Sequence, residues 1–343
     1  MTYHKRGDIN TALKFYKQSF EIAQSNNSYD YRRLQRSTLG SLGKVYYALN
    51  EYEQALSLLE ESLYIARDLN EPIEISRILN NIGAVYLTSG ESAIAEIYFR
   101  EAILILDSLQ EKMGDVYRVS MRDTLVTYQF LQQALIAQGK EINALEISEN
   151  SRAKSFASVI SKKINQKLNV DISYFNIEKI QKIAKEQKAT IVEYSLITDI
   201  TQDSQLFIGK SQGVTSKLFA WVIQPTGKVE FREIDISQIT SFDDLVKASR
   251  FSMGVTERGY GDLANLIEEP QTIKTQQTEN LRYLHQILIE PISDLLPKDP
   301  SQEVIFIPQG SLFLVPFPAL QDTQAHYLIE KHLTTRTKKR ERG

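Results

Sequence analysis

The 343-residue chain contains no cysteine. A disulfide framework, a thiolate metal site and a cysteine nucleophile are therefore excluded for these residues. An excess of either charge is also missing: 40 basic and 43 acidic side chains leave a net −3, so nothing global points to nucleic acid or to an anionic surface. No unbroken apolar run reaches the ~20 residues of a membrane span. Met1–Asn10 is polar and shows no secretory pattern. Histidine is scarce, at four, and no two have the HExxH or i, i+4 spacing of a helical metal site. His4, His285, His326 and His332 read as satisfied or solvated imidazoles. Gly254, Gly259 and Gly261 follow no strand and form no phosphate-binding loop, and no GxSxG elbow occurs. The carboxylate pairs Asp243/Asp244 and Glu268/Glu269 read as solvated. The expectation is a cytoplasmic chain without metal or cofactor, with no nucleic-acid or membrane partner.

What is present is a repetition. Leu42-Gly43-x-x-Tyr46, Asn50, Ala55, Leu59 and Leu63 recur as Ile82-Gly83-x-x-Tyr86, Gly90, Ala95, Phe99 and Ile103, at an offset of 40. Alanine follows a turn residue by five positions four times: Gly7 and Ala12, Asn50 and Ala55, Gly90 and Ala95, Gly139 and Ala144. Glycine and asparagine accept the left-handed conformation that ends a helix. Mid-helix glycine costs about 1 kcal/mol against alanine, so Gly43 and Gly83 at equivalent positions imply a packing need. Ala55 and Ala95 sit opposite them, with Leu59 and Phe99 one turn further to fill the seam. Tyr16, Tyr46, Tyr86 and Tyr98 read as seam packing rather than ligand contacts. In the third unit Leu135 replaces the tyrosine and the spacing widens to 49.

This pattern resembles a tetratricopeptide repeat in its longer variant, a stack of helix pairs in which neighbours bury each other's apolar faces. The resemblance is specific over 38–105, good over 1–24 and weaker over 120–158. Carried over by position, the first helices would present Ser37, Lys44, Tyr47, Arg77, Asn80, Thr88, Gln129 and Gln133 on the concave face. Lys44, Tyr47, Arg77, Asn80 and Gln133 are the candidate peptide-binding residues. The face is polar with a modest positive bias, suited to a protein or extended peptide segment bearing acidic groups.

A long amphipathic helix is expected over 141–160, a linker from 162, and a helix over Ile177–Gln187. Strands follow at 189–197, 217–223 and 228–234, the last two joined by Gln224-Pro-Thr-Gly227 as a hairpin. A loop over 199–216, with a short strand at 206–208, and a loop over 254–274 flank them. Helices read at 241–253 and 279–296, with Pro291 breaking the second. A final strand covers 303–308. Strands alternating with helices argue an α/β second domain.

The runs Ser148-Glu-Asn-Ser-Arg-Ala-Lys-Ser-Phe156 and Val192-Glu-Tyr194 resemble the entry to a CHAT domain, the caspase-like domain associated with such repeats. So does Val304-Ile-Phe-Ile-Pro-Gln-Gly-Ser-Leu-Phe-Leu-Val-Pro-Phe-Pro-Ala-Leu320 with Tyr327-Leu-Ile-Glu-Lys331. The expected organisation is an α-solenoid of tetratricopeptide helix pairs (1–158), a helical linker (159–188), the amino-terminal part of an incomplete α/β caspase-like domain (189–332) and a disordered basic tail (333–343). The CHAT resemblance implies peptide hydrolysis by a cysteine–histidine dyad, placed after the Pro-Phe block. Without cysteine or a matching histidine, the expectation is a binding module that is not an enzyme. The alternative is a fragment of a CHAT cysteine peptidase whose dyad lies outside these residues. A caspase-like sheet lacking later strands would expose unpaired edges, so the region after residue 190 is expected to be poorly ordered.

Overall fold

The computed structural model describes residues 9–113, 120–164, 176–198, 215–252 and 270–335. They fall into two compact units, one over 9–164 and one over 176–335.

The first unit is entirely helical: α1 (Ile9–Gln24), α2 (Tyr29–Ala48), α3 (Tyr52–Asp68), α4 (Pro72–Thr88), α5 (Ser92–Met113), α6 (Ser120–Ile136) and α7 (Glu141–Ile164). Tight turns set the geometry. Asn50, Asn70, Gly90 and Gly139 all have positive φ, at 60°, 53°, 91° and 68°. After each, one N–H closes a Schellman-type bond back into the finished helix: Glu51 to Tyr46 O (2.9 Å), Glu71 to Ala66 O (3.0 Å), Glu91 to Tyr86 O (2.8 Å) and Lys140 to Leu135 O (2.9 Å). The carbonyls of those same four residues accept from Ala55, Ile75, Ala95 and Ala144. One residue thus ends a helix and starts the next, which leaves no slack in the stack. The sequence pattern finds Asn50, Gly90 and Gly139; Gly7 lies outside the described residues.

Both conserved-spacing glycines sit where the pattern requires closeness. A Cβ on Gly43 would stand 2.7 Å from Leu59 Cγ and 3.2 Å from the Ala55 carbonyl oxygen. A Cβ on Gly83 would stand 2.6 Å from Phe99 Cε1. Ala55, Leu59, Ala95 and Phe99 are completely buried. The expected seam tyrosines are only half-buried, and Tyr86 and Tyr98 stack on each other at 5.6 Å. In the third pair the side-chain sizes exchange. Gln132 occupies the glycine position and Ser148 the Leu59/Phe99 position, and both are fully buried. Large opposite small is retained, with the partners swapped.

The second unit is an α/β layer. Its helices are α8 (Ile177–Gln187), α9 (Phe242–Ser252), α10 (Pro270–Leu288) and α11 (Leu328–Lys331). Its strands are β1 (Thr190–Thr198), β2 (Thr215–Ile223), β3 (Val229–Asp235), β4 (Glu303–Ile307) and β5 (Leu333–Thr335). They form one sheet in the order β3-β2-β1-β4-β5. β1 pairs antiparallel with β2 and parallel with β4, and β4 runs parallel to β5. The β2–β3 hairpin is closed by Gly227 at φ 87°, with Gln224 N–H donating to Lys228 O at 2.9 Å. Side chains alternate across β1 and β2 as pleating dictates. Val192, Tyr194, Leu218, Ala220 and Val222 join a core with α9, α10 and the short 3-10 turns of 310–314 and 317–319. Ile191, Ile197, Phe219, Trp221 and Ile223 are buried on the other face, where α8 reaches β2 and Gln181 Nε2 donates to Gly227 O at 2.7 Å.

Three sequence expectations change here. Among the described residues after 190 there is a formed sheet with a shared core, because α9, α10 and the 3-10 turns cover one face. Leu333–Thr335 runs as β5 beside β4 rather than beginning a patternless tail; 336–343 lies outside the described residues. α10 starts at Pro270, inside the stretch read as loop, and Pro291 ends it in a 3-10 turn of Glu290–Ile292. The expected strand at 206–208 also lies outside the described residues.

Candidate binding face

The first helices of the pairs, α2, α4 and α6, touch one another in turn. This row carries the side chains picked out by position. Tyr47 is buried, and its hydroxyl is 2.8 Å from Thr88 Oγ1. Asn80 Nδ2 donates to Thr127 Oγ1 at 2.6 Å. Both contacts tie one unit to the next, α2 to α4 and α4 to α6. Tyr47 and Asn80 therefore hold the row together; neither is a bare ligand contact. Gln133 and Gln129, half-buried on α6, lie one helical turn apart, with Gln133 Nε2 3.5 Å from Gln129 O. Ser37 is exposed.

A charge ladder runs beside them. Arg36, buried, reaches Glu71 Oε2 through Nε and Glu74 Oε2 through Nη1, both at 2.8 Å. Arg33 pairs with Glu71 and Arg77 with Glu74, again at 2.8 Å. The pattern reading found Arg77 but not Arg36, Glu71 and Glu74. Their signal was present in the sequence as arginines and glutamates, but which pairs would meet depends on how α2 packs on α4.

Lys44 differs from its neighbours. It is half-buried and makes no ion pair or hydrogen bond among the described residues. Burial pulls its ammonium down to about 8, Arg77 pushes the same way, and Glu74 offsets only part of this. Below pH 8 the folded chain carries the full cost of that buried charge. The cost is relieved as pH rises from about 8 toward the ordinary lysine value of 10.5, where the unfolded chain also loses its proton. Lys44→Met is therefore expected to stabilise the repeats by about 1–3 kcal/mol at neutral pH, with the gain gone above pH 10.5. Urea unfolding across pH, followed by circular dichroism, reads this directly.

The Tetratricopeptide repeat family matches residues 1–68 and 34–108, and the CHAT domain family matches residues 278–341. This is a tetratricopeptide-repeat chain carrying a CHAT segment. The repeat match spans α1 to α5, the helices whose turns and glycine seams are regular. The CHAT match runs from α10 through β4 and the Pro-Phe block and on into residues read as a tail. The stretch 189–277, where the resemblance was also seen, lies outside that match. No curated protein matches the chain. Among solved structures, the crystal structure of BtubC (BKLC) from P. vanneervenii is 19% identical, over 46% of this chain and 77% of that one, with a TM-score of 0.28. No helix among the described residues is long and apolar enough to cross a membrane.

The CHAT segment contains its own polar constellation. Gln309, just past β4, accepts through Oε1 from Ser195 Oγ and Leu196 N–H, both at 3.0 Å. Asp322 accepts from Lys331 Nζ (2.6 Å) and from the N–H groups of Gln324 and His326 (2.8 Å each). Those donors outweigh its burial and hold its carboxyl far below the usual range. His285 and His332 are both buried, each with an Nδ1 lacking a hydrogen-bond partner. This corrects the reading of all four imidazoles as satisfied or solvated. Burial lowers both; for His285, Glu290 and Asp322 pull back while Lys331 adds to the lowering. No group of three metal-ligating side chains occurs among the described residues.

As pH falls below the ordinary histidine value of 6.5, the unfolded chain takes up protons that the folded segment refuses. Acidification from neutral pH is thus expected to destabilise this unit, and His285→Phe to reduce that loss. Trp221 is the chain's one tryptophan and lies in β2, so its fluorescence during urea unfolding reports on this sheet.

Proposed function

We propose that the chain is a binding module whose repeats hold a protein or an extended peptide segment along the row of α2, α4 and α6. The observation that carries this is the mixed character of that row: half-buried Lys44, Arg77 and Gln133 above contacts, through Tyr47 and Asn80, that lock successive units. Such a surface offers polar partners to a peptide backbone without needing to rearrange. The CHAT segment acts in this reading as an attached, non-hydrolysing part. Peptide hydrolysis of the kind the CHAT resemblance implies needs a thiolate, and the chain has no cysteine. We place it in the cytoplasm, where its partners would be proteins rather than nucleic acid or membrane.

The test is site-specific photo-crosslinking in extract of the source cells, with the crosslinker at Ser37 or Gln133 on the inner row, or at the exposed Tyr64 on α3. Adducts formed from Ser37 and Gln133 but not from Tyr64 support the reading. Equal adducts at all three would remove it. The match to the CHAT family keeps a second reading open, a segment of a cysteine peptidase whose dyad lies elsewhere. In that case the repeats would act as its substrate receptor.

A further inference from the structure

We propose that the open edge of the second unit's sheet pairs with a second copy of this chain, β3 lying antiparallel to the copy's β3 about a two-fold axis at Phe231. β3 is the last strand in the order β3-β2-β1-β4-β5, and among the described residues only β2 pairs with it. Edges are commonly kept single by shortness, bulges, proline or charge. β3 has seven residues, no proline, and an unbroken register with β2 from Lys217↔Asp235 to Ile223↔Val229. Gln224 N–H donates to Lys228 O and Ile236 N–H to Ser216 O. Bonding alternates along an antiparallel strand, so the even-numbered residues of β3 bond toward β2. Val229, Phe231, Glu233 and Asp235 therefore aim their N–H and C=O groups at the open edge.

The charges Glu230 and Arg232 guard that edge against most strands, but they fit a copy of themselves. A two-fold sets residue i against j and j against i. With the odd residues pointing outward, antiparallel self-pairing can centre on Glu230, Phe231, Arg232 or Glu233. Three of these centres set a charge against its own copy. The centre at Phe231 instead sets Glu230 against the copy's Arg232, twice over. Both fall where no ladder bond forms and facing Cα atoms stand ~4.5 Å apart, so the side chains meet. Phe231, half-buried, already packs against Trp221 at 5.3 Å and Phe219 at 5.5 Å. Opposite its own copy it extends that aromatic row across the axis. Arg232 lies along the edge as it stands: Nη1 donates to Phe231 O and Nη2 to Asp294 Oδ2, both at 3.0 Å. In the pair, Phe231 O accepts the N–H of the copy's Phe231, which frees Nη1 for the copy's Glu230. The pairing stands apart from the binding reading, and it gives one assembly two repeat rows.

The experiment is sedimentation velocity of the full-length chain over a concentration series, with Trp221 fluorescence checking the fold of each variant. A reversible dimer is expected of the native chain. Glu230→Arg leaves only cations facing each other and Arg232→Glu only anions, so each change should weaken the dimer at least about tenfold. Mixed together, these two variants should recover a heterodimer of near-native strength. The double variant Glu230→Arg/Arg232→Glu should self-associate like the native chain yet not mix with it, read by labelling one of the two. That comparison keeps the test decisive if either single change harms folding. A native chain that stays monomeric at every concentration overturns the proposal. So does a dimer indifferent to both single changes, a mixture that restores nothing, or a double variant that mixes freely with the native chain.

Discussion

Gly83→Ala is expected to destabilise the repeats by about 1–3 kcal/mol, although alanine is the better helix former by about 1 kcal/mol. A surface glycine in a helix would show the opposite sign. The reversal comes from the ring of Phe99, whose nearest atoms would stand 2.6, 2.9 and 3.0 Å from the new methyl group. Phe99 is fully buried and packs against Phe130 at 5.6 Å, so the ring cannot swing aside without disturbing α6. The loss should therefore spread beyond one helix pair. Gly43→Ala should behave alike, since the Ala55 carbonyl 3.2 Å away is backbone and cannot yield. A double-mutant cycle with Phe99→Leu separates this from any propensity effect. Room for the methyl should make the pair of changes less damaging than their sum, by about 0.5–3 kcal/mol. Chemical unfolding followed by circular dichroism measures all four proteins.

Phe306→Ala should cost the second unit about 3–5 kcal/mol. Phe306 lies in β4, stacks on Phe317 at 4.5 Å and faces Tyr194 at 6.4 Å. Tyr194 completes the stack against Phe317 at 6.0 Å and donates its buried hydroxyl to Leu288 O, at the end of α10. Three rings from β1, β4 and the 317–319 turn thus form one block, with a hydrogen bond to the helix that covers it. Removing the Phe306 ring leaves a cavity beside Tyr194, whose hydroxyl is tethered to Leu288 O. Burial also pushes the Tyr194 phenol well up, so it remains a donor at any pH the fold survives. Trp221 fluorescence should show the transition moved to lower urea. An unchanged midpoint would mean that this aromatic block does not hold the sheet.

The repeats were legible because their constraints are local. The positive φ of each described repeat turn falls on glycine or asparagine, a close helix crossing needs glycine against alanine, and both leave a mark at a fixed offset. The third pair was harder to read because Gln132 and Ser148 exchange large for small across the same seam, which preserves volume and erases the pattern. The strands of the second unit also showed in the sequence, through the alternation in β2 and the Gln224–Gly227 turn. The helix from Pro270 did not, since Gln271 to Gln277 has little apolar content and reads as loop. β5 is three residues long and owes its existence to the edge of β4, a long-range fact. Within the candidate face, position alone picked out Lys44 and Arg77. It placed Tyr47 among candidate contacts although its hydroxyl is committed to Thr88, because register tells which row a residue occupies and not what the next unit offers it. The unbonded Nδ1 atoms of His285 and His332 left no trace in spacing at all.

The claim at the centre is that these residues bind and do not cleave. The direct measurement is incubation of the full-length chain with the peptides it binds, read by mass spectrometry together with the bound fraction. Intact peptide retained on the chain is the expected result. Cleavage fragments that co-purify with the chain and track its concentration would contradict it.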